Sequence, residues 1–297
     1  MSLAQGPPMI RIAAVDLDTI LLADDGRVAG DDTAAIARAL AANVRVVLVT
    51  SRVVESARRV CALDLPLVAA DGAQISLTGH TSLAQHALPG SRATSTATML
   101  AGRGLAVAAL AADGLVGARA FASVADRLIP GIGTRVLDGD VPARSVLALY
   151  AMGPRDQVEE TARMLRETER RAFTLTDVLS LDEQRSALRI RGAHATRARA
   201  LAVLASRWNV RRPARAYVGS ARTERDLDAM AWAGRSLVTP GPAAPCEPGV
   251  TIMRCGPPGA LAEAFDRLMP RAPAVGGDGE GEVDVVAARA RYSAAGR

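Results

Sequence analysis

The sequence contains no lysine: all 36 of its basic residues are arginine. A site that elsewhere would use an ammonium group must here use a guanidinium or do without. Aromatic residues amount to 3%, too few for the stacking platforms that hold single-stranded nucleic acid, and the interior must be filled by Ala, Val and Leu. Cys61, Cys246 and Cys255 form neither a Cys-x-x-Cys pair nor a zinc spacing, so buried or incidental thiols in a reducing, cytoplasmic setting are expected. His80, His86 and His194 lack metal-binding spacing. No apolar run approaches the ~20 residues of a membrane span, and no basic leader followed by a long apolar stretch opens the chain. No serine sits in a Gly-x-Ser-x-Gly elbow, and Gly102-Arg103-Gly104 has neither a third glycine nor a preceding strand, which argues against dinucleotide binding.

What is present is a globular composition, 49% apolar over 297 residues, long enough for a core plus an inserted domain. The formal charge of +5 favours anionic ligands. Because the arginines are scattered, they read as solvated surface, with phosphate-sized substrates as the functional alternative and no nucleic-acid partner.

Short apolar runs alternate with helical patterns. Ile10 to Val15 is a run ending in Asp-Leu-Asp, Asp31 to Ala42 is helical, and Val44 to Val49 is a second run, which together make a β-α-β unit. Such a unit belongs to a parallel sheet whose functional residues stand at the carboxyl ends of strands. The middle has a different texture, with strand-like pieces at Leu105 to Ala109, Leu115 to Ala120, Ser145 to Met152 and Ala172 to Leu175, and helices at Thr94 to Gly102 and Asp156 to Arg170. After Gly192 the alternation resumes with a helix from Thr196 to Trp208, a strand at Ala214 to Val218, a helix from Glu224 to Ala233 and a strand at Ser236 to Thr239. The expected organisation is an α/β core over 9–78 and 190–270, an α/β insertion over 79–189, and flexible ends at 1–8 and 272–297.

Phosphoryl transfer needs a nucleophile, a proton donor for the leaving oxygen and positive charge near the phosphate. Asp16 and Asp18, at i and i+2 beyond a buried strand, can supply the first two. Alone, the pair equally fits two turn aspartates that end a strand. The order of further signals changes that balance. Ile12-Ala13-Ala14-Val15-Asp16-Leu17-Asp18-Thr19-Ile20-Leu21-Leu22 resembles the first motif of the haloacid dehalogenase (HAD) superfamily, and Val46-Val47-Leu48-Val49-Thr50-Ser51-Arg52 resembles the second. Val68-Ala69-Ala70-Asp71-Gly72-Ala73 resembles the Asn-Gly-Ala turn before the large cap of the Cof-type branch. Ala195-Thr196-Arg197-Ala198-Arg199-Ala200-Leu201 resembles the helix start that carries the third-motif Lys, and Tyr217-Val218-Gly219-Ser220 the strand leading into the fourth-motif Gly-Asp.

That resemblance, which spans roughly residues 10 to 270, implies a Rossmann-like parallel-sheet core with an inserted α/β cap and a Mg²⁺-dependent phosphatase acting on a small phosphorylated metabolite through an aspartyl-phosphate. It implies Asp16 as nucleophile, Asp18 as general acid and base, Thr50 on the phosphoryl oxygens and Arg197 as their counter-charge. Thr50, Ser51, Arg52, Asp71 and Gly72 would line the substrate, and Asp16, Asp18, Ser220 and Glu224 would serve the metal. The sequence departs from the pattern in three places. Thr19 and Ile20 stand where the family has Gly-Thr, so a turn that normally exploits glycine is made without it. Arg197 replaces an ammonium by a planar fork. Ser220 stands where the family has an Asp, leaving Glu224 or Asp226 as the acid, and the Arg-Thr-acid order also resembles trehalose-phosphate phosphatases. These departures keep open a catalytically impaired relative that binds a phosphorylated ligand or a protein partner. Arg185, Arg189, Arg191 and Arg199 crowd the approach to Arg197, as a solvated strand edge or as an anionic-substrate funnel.

Overall fold

The computed structural model describes residues 9–23, 26–112, 114–129, 136–137, 145–169, 172–239, 249–253 and 259–269; the side chains of residues 80, 136, 137, 174–178 and 224 fall outside the description. The expected flexible ends, together with Cys246 and Cys255, lie outside the described residues.

The chain opens with β1 (Ile12–Asp16), α1 (Gly30–Ala41), β2 (Arg45–Val49), α2 (Val54–Val60), β3 (Leu67–Ala69), β4 (Gln74–Ser76) and β5 (Ser82–Gln85). There follow α3 (Gly90–Gly102), β6 (Ala106–Ala111), β7 (Gly114–Gly117), α4 (Ala125–Leu128), β8 (Val136–Leu137), β9 (Ala148–Pro154), α5 (Arg155–Thr168), β10 (Phe173–Ser180) and β11 (Arg185–Gly192). It closes with α6 (Arg197–Arg207), β12 (Arg215–Ser220), α7 (Glu224–Trp232), β13 (Arg235–Thr239), β14 (Val250–Ile252) and α8 (Ala260–Leu268).

Two sheets result. The larger has eight strands in the order β14-β13-β12-β1-β2-β3-β4-β5, and the smaller six in the order β10-β11-β9-β6-β7-β8. In the larger sheet β1 pairs in parallel with both β2 and β12, while β4 and β5 add an antiparallel edge. The chain leaves β1 towards β2 on one side and returns to β12 on the other, so the crevice at the carboxyl end of β1 is a topological switch point, where open α/β sheets bind ligands.

Side-chain alternation explains the layers. Ala13, Val15, Val46 and Leu48 point to the face covered by α1 and α8, while Ile12, Ala14, Val47 and Val49 point to the face covered by α6 and α7. The pair Ala13–Ala14 is what a strand buried on both faces under close-packed helices requires in a chain with few aromatics. In the smaller sheet Leu149, Leu188 and Ile190 pack against α3 and α5. Its other face, with Ala108, Leu110, Met152 and Ala187, joins Phe121 and Leu128 in a cluster that also takes in Val53, Ala70, Ala73 and Ala195 from the larger unit. The insertion therefore docks on the core through a shared apolar layer.

The core sheet runs past the expected boundary at 79, because Ser82–Gln85 adds to its antiparallel edge, and the second sheet runs past 189 to Gly192. Short polar strands such as Ser82–Gln85 carry no alternating apolar signal, which hid the edge. The chain crosses between the sheets at residues 86–89 and 193–196.

Candidate active site

Asp16 ends β1 with its side chain buried. Its Oδ1 accepts the main-chain N–H groups of Asp18 at 3.0 Å and Thr19 at 2.9 Å, which fixes the carboxylate at the mouth of the crevice. Residues Leu17–Leu21 make one wide turn closed by Leu22 N–H on Leu17 O at 3.0 Å. None of them has positive φ, so the turn needs no glycine, and the buried Leu17, Ile20 and Leu21 anchor it. The glycine that the family pattern supplies is dispensable in this conformation.

The free oxygen of Asp16, Oδ2, meets Arg197 Nη1 at 2.9 Å. Arg197 is the first residue of α6, whose N-cap Thr196 accepts the Arg199 N–H. The same Nη1 lies 3.2 Å from Asp226 Oδ1, and Arg197 Nε lies 3.1 Å from Asp71 Oδ1. Arg197 thus spans three carboxylates, which a compact ammonium could not reach in one plane. Although burial works against its charge, Asp71 and Asp16 hold its ionisation well above the ordinary arginine value. Burial raises the Asp16 carboxyl above the ordinary range, and Arg197 offsets this only in part while Asp18 and Asp226 add to it.

Asp18 faces the second strand. Thr50, directly after β2, donates its hydroxyl to Asp18 Oδ2 at 2.5 Å, and Arg52 Nε meets Asp18 Oδ1 at 2.6 Å. Thr50 Oγ1 in turn accepts the Arg52 N–H at 3.0 Å. Ser51 is half-buried between them.

Ser220 ends β12 and donates its hydroxyl to Asp226 Oδ2 at 2.7 Å. Asp226 stands at the third position of α7 in a reciprocal cap with Thr223, and its Oδ2 also accepts from Thr223 N, Thr223 Oγ1 and Arg222 N. The acid brought to Arg197 and Asp16 is therefore Asp226, with Ser220 supporting it from behind; the Glu224 side chain lies outside the described residues.

Asp71, expected to line the substrate, gathers an arginine cluster that the sequence did not disclose. It sits fully buried in a turn where Ala70, Asp71 and Gly72 all take positive φ. A Cβ at Gly72 would lie 2.2 Å from Thr196 O, so glycine is what lets this turn touch the start of α6. The Asp71 carboxylate is paired with Arg197, Arg189 and Arg225, and Arg191 Nη1 donates to the Asp71 carbonyl at 2.5 Å. Burial alone would raise the Asp71 carboxyl, but Arg225, Arg189, Arg197 and Arg191 outweigh it and hold it far below the usual carboxylate range. Arg189 and Arg191 are each only 2% exposed, so they are not a solvated strand edge. Arg185 is exposed and pairs with Asp182, and Arg199 contacts His194. Alternation along β11 was the available signal for Arg189 and Arg191, since they share a face with Ala187. Nothing in the first turn of α7 distinguished Arg225 from a solvated residue.

The fold is that of a hydrolase with a parallel-dominated α/β core and an inserted α/β cap. The sequence model of the haloacid dehalogenase-like hydrolases matches residues 13–237, and the chain belongs to that family. Among solved structures, TM0651 of Thermotoga maritima superposes with a TM-score of 0.68 at 16% identity, covering 87% of this chain and 97% of that one. A haloacid dehalogenase-like hydrolase of B. subtilis gives 0.66 at 16% identity, covering 87% and 99%. BT1666 of Bacteroides thetaiotaomicron, described among the phosphatases of the HAD superfamily, gives 0.72 at 14% identity, covering 90% and 98%. At these identities the likeness is one of fold. Comparison with curated protein sequences gives no match.

The donor set also bears on a metal. Among the described residues no three His, Cys, Asp or Glu side chains cluster as a metal centre. Mg²⁺, however, is typically held by one or two carboxylates with the remaining positions taken by water and phosphate. Asp16 Oδ2 and Asp226 Oδ1 converge on one cationic nitrogen of Arg197, so the space between them already suits positive charge, and hard oxygen donors flank it. The residues fit. No helix among the described residues is long and apolar enough to cross a membrane.

Proposed function

We propose that the chain is a Mg²⁺-dependent phosphomonoesterase of the cytoplasm that hydrolyses a small phosphorylated metabolite through an aspartyl-phosphate. The observation that carries this reading is the buried Asp16 carboxylate, held by two main-chain N–H groups on one oxygen and facing Arg197 with the other. An Asp16 oxygen attacks phosphorus, the ester P–O bond breaks, and the leaving oxygen takes a proton from Asp18. Asp18 then removes a proton from water, whose oxygen attacks phosphorus. The bond to Asp16 breaks, and inorganic phosphate leaves with the carboxylate restored. Arg197 and Thr50 hold the phosphoryl oxygens. Mg²⁺, held by Asp16, the Asp18 main-chain carbonyl and Asp226, would supply further charge neutralisation to the phosphoryl oxygens.

The Arg52–Asp18 ion pair favours a second reading, in which the site binds a phosphorylated ligand without turnover, because Asp18 must leave Arg52 to meet a leaving group. Hydrolysis of p-nitrophenyl phosphate with and without Mg²⁺ separates the two. Asp16→Asn should reduce the rate to background. Asp226→Asn should raise the Mg²⁺ requirement by on the order of tenfold, about 1.4 kcal/mol, with the same loss seen by calorimetry. Phosphate binding without any Asp16-dependent turnover would establish the second reading, and full turnover by Asp16→Asn would defeat the first.

A further inference from the structure

A guanidinium that serves a phosphoryl group has to present the right nitrogen in the right plane, whereas the donors of an ammonium rotate to suit. Arg197 meets that requirement through both of its edges. Its Nη1 lies 2.9 Å from Asp16 Oδ2 and 3.2 Å from Asp226 Oδ1, and its Nε lies 3.1 Å from Asp71 Oδ1. Holding a planar group at Nε and Nη1 also fixes the direction of Nη2, so Asp71 sets the orientation of the whole fork. Asp71 is itself held from behind: its Oδ2 accepts from Arg189 and, at 3.1 Å, from Arg225.

The main chain of the same turn reaches the other half of the site. The Asp71 N–H donates to Thr50 O at 3.1 Å and the Ala70 N–H to Arg52 O at 2.7 Å, and Thr50 and Arg52 are the residues whose side chains hold Asp18. One turn therefore carries the loop behind Asp18 on its backbone and the counter-charge of Asp16 on its side chain. Asp71 takes φ +53° there and Ala70 is also left-handed, conformations that non-glycine residues keep only under constraint and that cluster at functional sites. Asp71 is fully buried, so its carboxylate works on Arg197 and not on solvent.

We propose that Asp71 is a positioning residue: it acts through Arg197, fixing the guanidinium for the phosphoryl group in register with the Thr50–Arg52 loop, without touching substrate. Its contribution depends on the second edge of the guanidinium, which an ammonium at position 197 would not offer. This role rests on the reading of Asp16 and Arg197 as the phosphate site.

A double-mutant cycle between Asp71→Ala and Arg197→Lys tests the dependence. In the otherwise native chain, Asp71→Ala should lower kcat/KM for p-nitrophenyl phosphate roughly a hundredfold, the scale of a catalytic group displaced by about 1 Å. In the Arg197→Lys background the same substitution should cost at least about tenfold less. A purely structural role would cost the same factor in both backgrounds, since Arg189 and Arg225 lose their partner in each. The cycle read as affinity for inorganic phosphate by calorimetry needs no turnover. Equal losses in both backgrounds would overturn the role of Asp71 and leave the phosphate site intact. Coupling in phosphate affinity without turnover of the ester would leave that role standing and sink the hydrolytic reading, and failure to bind phosphate at all would remove both. A measurement on the native chain does not depend on the folding of Asp71→Ala: with ¹⁵N-labelled arginine, the Arg197 Nε–H, assigned by its absence from Arg197→Lys, should exchange slowly with solvent. Rapid exchange there would overturn the proposal.

Discussion

Replacing Asp71 by Asn keeps the shape of the side chain and removes its charge from among four guanidiniums. Asp71 is fully buried, and three of its arginine partners contact the carboxylate directly. Taking one partner from a buried ion pair typically costs 3–5 kcal/mol because the remaining charge is left uncompensated, so a loss of about 4 kcal/mol is expected. For a chain of this size that corresponds to a fall in Tm of roughly 10 °C, followed by circular dichroism during heating. The pH dependence gives a second handle. The folded-state ionisation of Asp71 is shifted far down, against the pull of burial, by Arg225, Arg189, Arg197 and Arg191. A carboxylate lowered on folding stabilises fully above its unfolded value of about 3.9 and loses that contribution as pH falls towards the folded value. The gap between wild type and Asp71→Asn should therefore be constant from pH 8 to 5 and narrow only below about pH 4. A loss of under about 1 kcal/mol at pH 7, the range of an exposed pair, would refute the assignment of Asp71 as the anionic centre of the junction.

Other substitutions probe the remaining supports. Gly72→Ala would force a Cβ against Thr196 O and C at 2.2 and 2.4 Å on a backbone with φ +99°; a cost of about 3 kcal/mol and a fall in kcat from displaced Arg197 are expected from thermal melts and phosphatase assays. Asp32, buried in α1, accepts the N–H groups of Gly259 and Ala262 and so caps α8 from a distance. Asp32→Ala should cost about 1–2 kcal/mol by urea titration with no change in KM. Burial raises the Cys61 thiol, so iodoacetamide at pH 8 should leave Cys61 unmodified in the native protein and alkylate it after unfolding, as read by peptide mass mapping.

The parts of the site that could be read in the sequence are those fixed by strand ends. Asp16 and Thr50 each follow a run buried on both faces, and the register of β1 with β2 brings them side by side whatever the loops do. Arg197 was legible from its place at a capped helix start. The approach of Asp226 to Arg197 was not, because it depends on how the loop from Ser220 to Thr223 folds back into the reciprocal Thr223–Asp226 cap. Arg189 and Arg191 looked like a solvated edge because polar alternation usually marks the wet face of a sheet. Here the wet face is turned onto the core, and the partner that makes this tolerable, Asp71, lies more than a hundred residues away in sequence. The edge strand at Ser82–Gln85 escaped notice for a related reason, since Ser82 and Gln85 are exposed, Leu83 and Ala84 are only half-buried, and the segment carries no apolar period.

The apolar layer in which Phe121, Leu128 and Met152 of the insertion meet Val53, Ala70, Ala73 and Ala195 of the core has a consequence for how the chain can be taken apart. An insertion with its own closed interior could be excised, transplanted or exchanged with a short linker. This one completes its second face only by lying on the core, and the core hides Ala70 and Ala73 only beneath it. Either piece produced alone would present that layer to water as an adhesive patch. In the intact chain the two units are expected to melt in a single transition, so that a truncation meant to remove specificity would remove solubility first.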